Sequence, residues 1–127
     1  MSSPKIVSLV LTGNVPSKKN SRVHTRAGVS IPSKSFYDWQ KSAMWQVRTQ
    51  TRERFFAPVA VDVTIIFGTK ARADLDNRLT SVLDMLVEAV VLKDDKWQDI
   101  PQMTAKAAYR KGEPGALITI TEVEPAL

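Results

Sequence analysis

Two periods run along this chain. Val7, Leu9 and Leu11 alternate with Ile6, Ser8, Val10 and Thr12 until Gly13, which predicts a first strand with one fully apolar face. Val59, Val61, Val63, Ile65 and Phe67 alternate with Ala60, Asp62, Thr64 and Ile66 until Gly68, the clearest period of two in the sequence and a predicted central strand. Met103, Ala105, Ala107 and Tyr109 repeat the alternation. A turn holding Gly112, Pro114 and Gly115 then leads to a last strand near Leu117 to Val123. Between these stretches the spacing changes to that of helices. Phe36, Trp39, Gln40, Ala43 and Val47 form one stripe, flanked by Tyr37, Met44 and Gln46, of a helix capped by Ser33 or Ser35 and running to about Phe55, with Pro58 marking its end. Leu75, Leu79, Val82, Leu83, Leu86 and Val90 form the stripe of a second, from about Asp76 to Val91, with Asp74, Asp76 or Asn77 as its cap. Residues Asn14 to Pro32 follow neither period and read as a long loop with a short hairpin near Ala27 and Gly28. Loops of that length in small domains are often functional.

The order β-α-β-α-β-β predicts one α+β domain over residues 1–127. It is a two-layer sandwich, with two helices packed on one face of a mixed sheet. At 127 residues and 43% hydrophobic the chain can bury a core of its own. It has no cysteine, which excludes disulfides, iron–sulfur clusters, thiolate zinc sites and thiol catalysis. No apolar run approaches a membrane span and the first residues lack a signal-peptide core, so a soluble, cytoplasmic protein without membrane partners is expected. The net charge of +5 is unevenly spread. Met1 to Ala57 hold ten basic and two acidic residues, a balance of +8, whereas Pro58 to Leu127 hold eight basic and eleven acidic, a balance of −3. A basic half joined to an acidic half suits a polyanion-binding surface beside a carboxylate cluster, although solvated faces of an ordinary basic domain would give the same tally.

The carboxylates that change the picture are Asp74 and Asp76, between the central strand and the second helix, and Asp94 and Asp95 after that helix. Several carboxylates gathered within a few ångströms repel one another unless cations intervene. A divalent ion with hard oxygen ligands is the economical solution, and a pair of ions about 3.5–4 Å apart can clamp both oxygens of a phosphodiester displacement. The helix between the pairs is about 20 Å long, so the loop after it must fold back if they are to meet. Alternatively, Asp74 and Asp76 are helix caps and Asp94 and Asp95 ordinary loop residues.

Asp74-Leu75-Asp76-Asn77, then Asp84, then Asp94-Asp95, resembles the signature of RusA-type Holliday-junction resolvases. Gly13 to Arg22 resembles that family's loop on the substrate side, and Ile31-Pro32-Ser33-Lys34 its second basic turn. The resemblance spans most of the chain. It implies a homodimeric endonuclease that uses Mg²⁺ or Mn²⁺ to nick paired strands of branched DNA at a four-way junction. It also implies that Asp74, Asp76 and Asp95 are the catalytic metal ligands, with Asp94 and Asp84 in support. The chain departs from the pattern at Thr80, where the family carries a lysine; Arg78, Lys93, Lys96 and Arg72 are candidates to replace its charge.

Lys18, Lys19, Asn20, Arg22, Arg26, Lys34 and Arg72 are the expected DNA contacts, made to phosphates rather than to bases. His24 reads as a surface residue, and Phe36, Trp39 and Trp45 as helix core or subunit interface. Trp97, just past the second acidic pair, reads as an anchor for that loop in preference to an exposed aromatic that wedges at a junction. Three functions remain in view: the nuclease, a DNA-binding relative that has lost its chemistry through Thr80, and a basic RNA-associated or assembly protein whose aspartates only cap.

Overall fold

The computed structural model describes residues 3–17, 22–24, 28 and 30–125. Strand β1 (Ile6–Thr12) is followed by a short antiparallel ribbon, β2 (Arg22–His24) with β3 (Ser30–Pro32), then helix α1 (Lys34–Gln50) and strand β4 (Val59–Phe67). Helix α2 (Leu75–Glu88), strand β5 (Gln102–Tyr109) and strand β6 (Gly115–Glu122) complete the chain. The main sheet runs β1-β6-β4-β5. Its β4–β5 pair is parallel and the other two pairs are antiparallel. The sheet is mixed, as expected, because α2 carries the chain from the end of β4 back to its start before β5 begins.

The core is the face predicted by the alternation. Val7, Leu9 and Leu11 of β1, Val59, Val61, Val63 and Ile65 of β4, and Ala116, Ile118 and Ile120 of β6 pack against Ala43 and Val47 of α1 and Val82, Leu83, Met85 and Leu86 of α2. The hairpin expected within the long loop is the β2–β3 ribbon. At Gly13 the backbone takes a left-handed φ of 104°, which a side chain would resist, and β1 ends there. Gly115 is required for a different reason, since a Cβ at that position would run into the Leu11 carbonyl.

Two expectations need correction. Helix α1 stops at Gln50, not near Phe55: Thr51 is extended, and Phe55 is drawn away to form a parallel bridge with Leu92 and bury its ring. Helix α2 stops at Glu88, and Val90, expected on its apolar stripe, lies beyond it with a left-handed φ of 62° and half its surface exposed. Strand β5 forms as expected but lies at the sheet edge, so its alternation does not correspond to burial; Met103 and Tyr109 are largely exposed. No helix among the described residues is long and apolar enough to cross a membrane.

Candidate nuclease site

Asp74 occupies the N-cap position of α2 with an extended backbone, yet its carboxylate makes no capping hydrogen bond. It is held sideways instead. The Asn77 side-chain amide donates to Asp74 Oδ2 (3.1 Å), and the Asn77 backbone N–H donates to Asp76 Oδ1 (2.9 Å). Asn77 therefore holds both aspartates at the first turn of α2, where the helix dipole favours negative charge. Both carboxylates are exposed and retain oxygens for a ligand. The reading in which these residues serve only as caps loses its main support at Asp74. The hard oxygen donors of the pair, with no cysteine in the chain, suit Mg²⁺ or Mn²⁺.

The second acidic pair lies elsewhere. Arg78, on the first turn of α2, has its guanidinium 5.9 Å from the Phe67 ring at the end of β4, while Asp99, four residues past Asp95, accepts from the Val59 N–H (3.0 Å) at the start of β4. Nine residues of strand separate those marks, about 26 Å at roughly 3.3 Å per step. The loop after α2 thus does not fold back. Among the described residues no group of three or more Asp, Glu or His side chains converges. Within one chain, the structure brings Asp74 and Asp76 together and leaves Asp94 and Asp95 at the far end of α2.

At that far end Asp95 is exposed, and Asp94 accepts the Asp95 N–H (2.8 Å) and pairs with the Lys96 ammonium (3.4 Å). That backbone hydrogen bond, and then Lys96, hold the Asp94 carboxyl below the usual carboxylate range. Trp97 is 63% exposed, which overturns its expected role as an anchor packed into the fold. Asp84 is half-buried in the third turn of α2. Phe36 is buried and Trp39 partly so, as a core role requires, but Trp45 is 68% exposed and does not belong to the core.

Of the expected DNA contacts, Lys18, Lys19, Asn20 and Arg26 lie outside the described residues, and Arg22 and His24 are described only in their backbone, in β2. Lys34 is exposed at the start of α1, 3.6 Å from Asp38. Arg72 is exposed beside Asp74, and Arg72, Ala73, Asp74 and Arg78 line a cavity of about 290 Å³. The sequence reading missed Ser81, a fully buried hydroxyl on α2 that donates to the Pro16 carbonyl (2.7 Å). This bond, with the buried side chains of Val15 and Ser17, fixes the segment entering the basic loop against α2, one turn beyond Asn77. A lone serine among apolar helix positions was its only trace in the sequence. Thr80 is exposed, and its hydroxyl donates back to the Asp76 carbonyl (3.1 Å).

The family model described as Endodeoxyribonuclease RusA matches residues 13–121. The chain is also similar to the Crossover junction endodeoxyribonuclease RusA of Aquifex aeolicus (strain VF5), 27% identical over 104 residues, which are 81% of each protein. Both the clasped aspartates and the far acidic pair fall within the matched region.

Proposed function

The chain belongs to the endodeoxyribonuclease RusA family, and from that premise we propose that it resolves four-way DNA junctions by metal-dependent paired nicks. The observation that carries the reading is the Asp74–Asn77–Asp76 clasp, two oriented carboxylates left open for a ligand at a helix N-terminus. In this reading Asp74 and Asp76 hold Mg²⁺ or Mn²⁺, and Asn77 fixes the direction of their oxygens. When bound, the ion supplies the Lewis acidity that makes water a competent nucleophile toward phosphorus. Lys18, Lys19, Arg22 and Arg26, with Arg72, take up the phosphates of the strands in this reading.

The separation of the acidic pairs supports a homodimer in which the site is shared. A third ligand at Asp95 lies too far along α2 to join Asp74 and Asp76 of its own chain. Two copies with their α2 helices side by side and antiparallel would set Asp95 of one copy against Asp74 and Asp76 of the other, and a two-fold axis would generate two such sites. Each site would face one of two opposed strands, which is what paired nicking requires.

The test is cleavage of a labelled synthetic four-way junction in Mg²⁺ and then Mn²⁺, beside a linear duplex of the same sequence. Paired symmetric nicks on the junction alone are expected, with a loss of roughly 1,000-fold or more in Asp76→Asn, as for removal of a group essential to transition-state stabilisation. Tight junction binding in Ca²⁺ without product in either active metal would favour a binding relative that has lost its chemistry. Equal binding of junction and duplex, with cutting of neither, would sink both readings.

A further inference from the structure

Thr80 leaves open where the positive charge beside the acidic pair resides. Its hydroxyl is turned back onto the helix, and it has no charge to offer. Lys93 and Lys96 follow the far end of α2, and Lys96 is already paired with Asp94. Lys70 lies over the Tyr109 ring (5.1 Å). Arg78 is differently placed. Helix side chains lean toward the N-terminus, and this one reaches back so that Nη1 donates to the Asp74 main-chain carbonyl (3.1 Å). Its guanidinium lies over Phe67, is half-buried, and carries an Nε–H that is buried with no acceptor. It shares the 290 Å³ cavity with Arg72 and Asp74.

We propose that Arg78, with Arg72 lining the same cavity, seats a DNA phosphate beside Asp74 and Asp76 and thereby supplies the positioning cation that Thr80 cannot. Three features lead there. A phosphate approaching two carboxylates is repelled unless a cation stands at the same place, and the cavity carries two guanidiniums against one aspartate. Arginine presents five N–H groups in a planar fork suited to phosphate, and only one is used on the Asp74 carbonyl. The buried Nε–H has no acceptor, so the hydrogen bonding of the guanidinium is incomplete in the free protein, as buried donors seldom are. Phe67 and the carbonyl contact hold the fork in place, so little order has to be created on binding. The proposal deepens the nuclease reading and rests on it for the identity of the phosphate.

Two measurements test it. The first is junction binding in Ca²⁺ as a function of salt, and the second is single-turnover cleavage in Mg²⁺. Arg78→Gln is expected to lower the slope of log affinity against log salt by about one, and Arg78→Lys to retain it. Arg78→Gln is also expected to slow cleavage roughly 100-fold, and adding Thr80→Lys to recover roughly tenfold or more, because the new ammonium stands close to the same pair. A purely structural arginine would leave the slope unchanged, lower the unfolding midpoint and gain nothing from Thr80→Lys; that pattern, or wild-type slope and rate, overturns the proposal. The nuclease reading fails separately. If the unaltered chain binds the junction without cutting it, the slope of Arg78→Gln still decides whether a phosphate sits there, and absence of DNA binding by the unaltered chain overturns both.

Discussion

Among the described residues Val90 is the one non-glycine position with a left-handed backbone, and it sits where a helix most often places glycine. The Val91 N–H donates to the Leu86 carbonyl and the Val90 N–H to the Val87 carbonyl, both at 3.0 Å, the crossed pair of bonds that closes a Schellman end. Val91 and Leu86, both buried, supply the apolar contact that accompanies it. The tertiary packing thus imposes a conformation that a β-branched residue resists. Val90→Gly is expected to stabilise the fold by about 1 kcal/mol, with the unfolding midpoint raised by a few degrees. Thermal unfolding of the two proteins checks this, and an unchanged or lower midpoint would show that the valine is unstrained. Asn77 is the residue-scale counterpart at the other end of α2. Asn77→Ala is expected to leave stability within about 1 kcal/mol and to slow junction cleavage at least roughly tenfold, because it frees the direction of the Asp74 carboxylate while the backbone N–H on Asp76 stays in place.

At the scale of elements, the sheet has two edges and treats them differently. The β1 edge is covered by two glutamines of α1. Gln50 accepts the Val10 N–H (2.8 Å) and donates to the Val10 carbonyl (2.7 Å), and Gln46 does the same at Thr12 (2.8 and 3.2 Å). Each amide stands in for one residue of a further strand, so the backbone there cannot pair with another chain. Replacing both by alanine is expected to cost about 1–2 kcal/mol in urea unfolding and to promote concentration-dependent association measured by light scattering. Equal stability and a monodisperse double variant would show the cover to be idle. The sequence carries Gln46 and Gln50 in plain view, but their spacing only places them on a helix. The same limit explains what else was and was not legible. Alternation located β1 and β4 because each buries one face, and it also found β5, yet it could not show that β5 is an edge with little to bury. Pro58 suggested a late end for α1, whereas the end is set by Phe55 pairing with Leu92, a contact between residues far apart in the sequence. The motif identified Asp74, Asp76, Asp94 and Asp95 together, and their positions at opposite ends of α2 depend on the parallel crossover from β4 to β5.

For the molecule as a whole, the distance between the acidic pairs makes the shared site of the proposed homodimer testable by complementation. Asp76→Asn and Asp95→Asn should each abolish cutting when every subunit carries the change, whether sites are built within a chain or between two. Mixed, refolded dimers separate the cases. If each site lies within one chain, a dimer with Asp76→Asn in one subunit and Asp95→Asn in the other has two damaged sites and stays inactive. If Asp95 of one copy completes the pair of the other, the same mixed dimer has one site that has lost both aspartates and one that is intact. Because random mixing gives about half mixed dimers, the refolded pool should recover roughly a quarter of the wild-type nicking sites, a fraction that follows from two-fold symmetry. The products should also change, since one working site cuts one strand: nicked junctions should accumulate in place of resolved duplexes. Recovery of single nicks in the pool establishes the shared site, a pool as inactive as its components overturns it, and an Asp95→Asn protein that still cuts would remove Asp95 from the set.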